Sequence, residues 1–220
     1  MIGTIAHVCN RGIKKHNIFV DDKDRLRFVL NLYRLNNRSG SLRITNNKHP
    51  FESLPKQDKL VEILKWSLMP NHYHLLLYEK VEGGIVEFTK RLGNAYTKYC
   101  NIKYSSSGYI FQNSAKIIPI EKDRHYLYIP FYIDLNAVSL VQNWKSADVK
   151  AKIIFDFLKK YRWSSFRDYL EEKSIFYPII SRELFYELFD TNSIEYTKEI
   201  SGLLEKDAFL ELSKSVDLAG

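Results

Sequence analysis

The apolar and polar positions fall into a short series of alternating patterns. Residues 4–11, Thr-Ile-Ala-His-Val-Cys-Asn-Arg, are β-favouring and stop at Gly12, which predicts a first strand running into a loop. Asp21 and Asp22 are cap candidates ahead of Leu26, Val29, Leu30 and Tyr33, whose spacing gives one apolar face of a helix. Residues 36–58 are rich in Asn, Ser, Lys and Pro, with a short strand candidate at Leu42-Arg43-Ile44-Thr45, and read as an insertion or long loop. Leu60 to Leu68 and His72 to Glu79 flank Met69-Pro70-Asn71, a turn-forming stretch that predicts a hairpin. After Gly83-Gly84, Ile85, Phe88, Leu92, Ala95, Tyr96 and Tyr99 line one face of a helix to about Lys103, with Lys90, Arg91, Asn94 and Lys98 opposite. A Ser-rich turn follows, then a fourth strand over Tyr109 to Ile120.

The order β-α-β-β-α-β predicts an α+β fold of ferredoxin-like type, an antiparallel sheet with both helices on one face and the other face free for a ligand. A further helix is expected around Asp123 to Val138, interrupted by Pro130, and from Val149 the pattern turns helical to the end. Two units follow from this: residues 1–145 around the sheet and a helical extension over 146–220.

Composition narrows the class. With 45% hydrophobic and 27% charged residues, plus 13 Phe, 15 Tyr and 3 Trp, the chain is globular rather than disordered. Apolar runs such as Leu75 to Tyr78 fall far short of the ~20 residues of a membrane helix, and the N-terminus lacks a charged-then-apolar signal pattern, so a cytoplasmic protein is expected. Cys9 and Cys100 are too few for a disulfide framework or a zinc finger, which leaves His with oxygen or amide ligands for any metal. The net charge of +7 suits a polyanionic partner. Arg11, Lys14, Lys15, Lys90, Arg91, Lys98 and Lys116 are the candidates for phosphate contacts, whereas acidic residues dominate after Ile180.

Two segments carry chemistry. In His72-Tyr73-His74 strand alternation sends both imidazoles to one face, where they can bind one metal ion or stand as a hydrogen-bonded pair, while Tyr73, Leu75 and Leu77 point to the core. Tyr132 and Asn136 are spaced i, i+4 and share a helix face. A phenol with pKa near ~10 needs activation to act as a nucleophile at neutral pH. Pro130 either kinks this helix or starts a new one, and in the second case Tyr132 occupies a positive first turn. Tyr126 and Tyr128 are rival nucleophiles.

Met69-Pro70-Asn71-His72-Tyr73-His74-Leu75-Leu76 resembles the HUH metal motif of single-tyrosine transposases, in particular the REP-associated tyrosine transposases, relatives of the insertion-sequence two-hundred group. Further blocks agree in order. His7-Val8-Cys9-Asn10-Arg11-Gly12 resembles the family's first strand, Ile18-Phe19 with Asp21-Asp22 the loop after it, and Gly108-Tyr109-Ile110-Phe111-Gln112 the strand after the second helix. Tyr132-Ile133-Asp134-Leu135-Asn136 is similar to the family's nucleophile helix, and Tyr161 to Tyr169 to its Trp-Ser-Ser block; together the blocks cover roughly residues 5 to 170. Ala137 stands where the family usually has Pro, and residues 36–58 have no family counterpart.

The resemblance implies a metal-dependent DNA nuclease and strand transferase acting on single-stranded or hairpin DNA, nucleoid-associated in the cytoplasm, as monomer or homodimer. It makes Tyr132 the nucleophile, His72, His74 and Asn136 the ligands of Mg2+ or Mn2+, and a 5′-phosphotyrosine the covalent intermediate, with no nucleotide cofactor. A domesticated module that binds hairpin DNA without cutting it, and a metal-dependent phosphoesterase in which water attacks, are the competing readings.

Overall fold

In the computed structural model the β-favouring segments, β1 (Ile5–Arg11), β2 (Val61–Met69), β3 (His72–Glu79) and β4 (Lys116–Pro119), pair into one antiparallel sheet of order β2-β3-β1-β4. The structure describes residues 1–44, 51–52, 54–121, 124–144, 150–170 and 173–205. Two helices, α1 (Asp22–Arg34) and α2 (Gly84–Lys103), lie on one face, which makes the fold α+β and ferredoxin-like. Asp21 caps α1 in a reciprocal capping box with Asp24. On that face Tyr73 of β3 packs on Phe28 of α1, ring centres 4.8 Å apart, and Phe28 packs on Tyr96 of α2.

The second face is not free. α3 (Arg124–Leu135) crosses it over β2 and β3 and buries Ile129, Ile133 and Leu135 completely. Beyond it come α4 (Ala151–Lys160), α5 (Phe166–Tyr169), α6 (Arg182–Phe189) and α7 (Ser193–Glu205). They share the sheet's core: the Leu68 N–H donates to Trp163 O and the Ser165 N–H to Trp66 O. The expected open ligand face is therefore reduced to a cavity at the rim, because an apolar helix cannot stay in water while half a sheet lies bare beside it.

Three local expectations change. β4 is four residues long rather than twelve, because residues 110–112 bond to the last residue of β1 and the loop after it: Ile13 N–H donates to Ile110 O and Gln112 N–H to Arg11 O. Pro130 lies inside α3 and does not start a helix, so Tyr132 is in its second half, away from the positive first turn. α3 stops at Leu135, and Asn136–Leu140 form a 3-10 turn that buries Ala137. Residues 41–44 form no strand, and Thr45, Asp123, Val149 and the expected helical pattern over 206–220 lie outside the described residues.

Candidate active site

Antiparallel register builds the site. Cys9 of β1 stands opposite His74, Arg11 opposite His72, and Cys9 also opposite Lys116 of β4. Alternation then places His7, Cys9 and Arg11 on the same face as His72 and His74. The hairpin turn fixes its first histidine, since Asn71 Oδ1 lies 2.6 Å from His72 Nδ1 while the Asn71 amide donates to Lys15 O. Gly12 lets the β1 loop fold close: a Cβ there would sit 2.3 Å from His16 O. Lys14 and Lys15 follow in left-handed conformation, and Lys15 is turned toward the hairpin.

α3 brings the second half. The Tyr132 ring meets His74 edge-on at 5.3 Å and His7 at 5.9 Å. His72 Nε2 lies 3.1 Å from Asn136 Oδ1, and the two strand imidazoles have centres 5.0 Å apart. Tyr132, His72, His74 and Asn136 all line one cavity of about 680 Å³, with Arg11, Lys15 and Lys116 around it. Ser139, Gln112 and Asn113 also reach it; nothing in their spacing marked them in the sequence.

Burial sets the protonation. It drives the His72 pKa down to about 4, with the nearby Arg11 charge adding to the fall against a hydrogen bond to Asn136. His74, fully enclosed, falls well below the ordinary imidazole range, by burial first and then by its neighbours His72, His7 and Arg11. Both rings are therefore neutral at pH 7, the form that offers a lone pair to a metal. His74 Nε2 is buried with no hydrogen-bond partner among the described residues. His72 Nε2 and Asn136 Oδ1, hydrogen-bonded at 3.1 Å, are a nitrogen and an oxygen donor close enough together to serve one divalent cation.

A second ligand group was not expected from the sequence. His7, Cys9 and His74 are all buried, with ligand atoms within 4.8 Å of one another, and such a group can hold a metal ion. The signal was the i, i+2 spacing of His7 and Cys9 on a strand, which only the register makes meaningful. Burial raises the Cys9 thiol pKa despite Lys116 and Arg11.

The other candidates scatter. Lys14 is exposed outside the cavity, and Lys90 lines a groove with Gly93 and Tyr109. Arg91 is tied to Glu87 at 2.6 Å and donates to Asn37 O, a structural role. Lys98 stands beside Arg27 and Lys103 on the outer surface of α2. Of the rival tyrosines, Tyr126 donates its hydroxyl to Leu188 O and stacks on Phe189. Tyr128 lines a separate groove with Phe131 and Phe189.

Comparison with known proteins adds little. No family model matches the chain, and no curated protein matches it. One solved structure, described as a REP-associated tyrosine transposase bound to a REP hairpin, is 16% identical, with 76% of this chain and 78% of that chain covered at a TM-score of 0.44. A likeness that distant carries nothing about activity. None of the described helices is long and apolar enough to cross a membrane.

Proposed function

We propose that the protein is a metal-dependent nuclease and strand transferase for single-stranded or hairpin DNA, with residues 1–145 as the catalytic unit and 146–220 as a helical brace. The observation that carries this reading is the convergence of Tyr132, His72, His74 and Asn136 on one cavity ringed by Arg11, Lys15 and Lys116. The sequence blocks that resemble single-tyrosine transposases point the same way.

His72, His74 and Asn136 would hold Mg2+ or Mn2+, which when bound supplies positive charge to polarise a phosphodiester. Imidazole ligation favours Mn2+ in vitro. Arg11, Lys15 and Lys116 attract the backbone and stabilise negative charge on Tyr132 and on phosphate. The Tyr132 phenol oxygen attacks phosphorus in line; the P–O3′ bond breaks and a 5′-phosphotyrosine forms. The leaving 3′ oxygen takes up a proton, and the phenol's proton passes to solvent. Bond energy is kept in the adduct, so the 3′-hydroxyl of a strand can reverse the step without a nucleotide cofactor.

The test is a denaturing-gel assay with Mn2+ and labelled hairpin DNA carrying single-stranded flanks. A protein–DNA adduct mapped to Tyr132 by mass spectrometry is the expected result. Nicking without an adduct would make water the attacking group and the protein a phosphoesterase. Hairpin binding with neither product would leave a binding module.

A further inference from the structure

The two nitrogens of His74 meet different surroundings. Nδ1 lies 2.8 Å from Nε2 of His7, whereas Nε2 is buried with no hydrogen-bond partner among the described residues, on a ring that lines the cavity. The two ring planes are nearly parallel, at 16°, with centres 5.1 Å apart. That separation matches the N···N distance extended by both ring radii, so the contact runs in line through the rings and not across stacked faces. Nitrogens that meet head-on share a proton, while ligands of a common ion aim their lone pairs at a third point. The in-line contact thus disfavours an ion held between these two atoms. His7 is fully buried one pleat from Cys9, the residue opposite His74, which is the diagonal position that lets the side chains touch.

We propose that His7 is a positioning residue: its Nε2 accepts the Nδ1–H of His74, which fixes that ring's tautomer and plane and leaves the Nε2 lone pair facing the cavity beside Tyr132. This role rests on the metal-dependent reading of the cavity, but its first test needs neither metal nor DNA. Long-range 1H–15N spectra of the metal-free protein, with labelled histidines, should show His74 protonated at Nδ1 and bare at Nε2. His74 protonated at Nε2 overturns the role.

Calorimetric Mn2+ titration of wild type, His7→Leu and His7→Gln is the second test, because a Gln amide oxygen can accept the same proton. His7→Leu should weaken Mn2+ binding about 10–100-fold, and His7→Gln should recover most of it. Loss of thermal stability alone, with Mn2+ affinity unchanged, makes His7 a packing residue and overturns the role. If wild type binds no Mn2+, the metal-dependent reading fails, and the spectra of the metal-free protein still decide where the His74 proton sits. A cobalt–thiolate absorption band that Cys9→Ser abolishes would overturn the role in favour of a His7–Cys9–His74 metal centre.

Discussion

The Lys65 ammonium on β2 lies 2.7 Å from an Asp134 carboxylate oxygen on α3, with both side chains sealed from solvent. Tyr196 of α7 donates its hydroxyl to the same oxygen. The ammonium sits 3.5 Å from the Tyr169 ring centre, 4.1 Å from Tyr196 and 4.7 Å from Phe185. Desolvation pushes Lys65 down to about 8 and Asp134 up, and each partner opposes the other's shift. Asp134 lies between Tyr132 and Asn136 in sequence, so this pair pins the end of α3, which carries Tyr132 and leads into the 3-10 turn that carries Asn136, using rings from α5, α6 and α7.

Lys65→Met should cost about 3–5 kcal/mol in urea unfolding, because the Asp134 carboxylate is left buried without its cation, with the Tyr196 hydroxyl as its remaining donor. Lys65→Met with Asp134→Leu should recover much of that loss. Equal destabilisation in the single and double variants would show that the pair contributes nothing as a pair.

Tyr132→Phe removes one hydroxyl and should leave the fold and hairpin affinity near wild type while eliminating the covalent adduct. Tyr126→Phe should keep the adduct, since its hydroxyl is engaged with Leu188 O and it does not line the cavity. An adduct that survives in Tyr132→Phe would move the nucleophile elsewhere.

His72 titrates at 6.5 when unfolded and at about 4 when folded. Between those values the unfolded chain holds the extra proton, so stability present above pH 6.5 is lost as pH falls toward 4, by about 3 kcal/mol. Acid denaturation of wild type and His72→Gln checks this: the variant should lose less stability over that window.

Arg11, Lys15 and Lys116 line the cavity, whereas Lys90, Arg91 and Lys98 do not. Replacing the first three with Ala should flatten the log–log salt dependence of single-strand binding by about 0.7 per lost phosphate contact. Replacing the other three should leave the slope near wild type. The reverse pattern would place the DNA on the outer surface of α2.

Much of this molecule was legible locally. The hairpin at Met69-Pro70-Asn71, the apolar stripe from Ile85 to Tyr99 and the alternation that turns His72 and His74 to one face follow from periods of two and 3.6, and the sheet order agrees with them. The i, i+4 spacing of Tyr132 and Asn136 predicted one shared helix face; the two do line one cavity, although Asn136 stands in the 3-10 turn after α3. What no period encodes is which strands become neighbours. His7 is an ordinary strand residue until β1 pairs with β3 and sets it 2.8 Å from His74. Lys65 carries no signal in its own strand; α3 and three C-terminal rings close over it only in the packed chain. The same closure turned the expected open sheet face into a cavity. Local sequence determines which way a side chain leaves its own strand or helix, because backbone geometry does so within a few residues. The burial of His74, its unpartnered Nε2 and its depressed pKa come from groups as far apart as positions 7, 72 and 132, and only the packed chain brings those together.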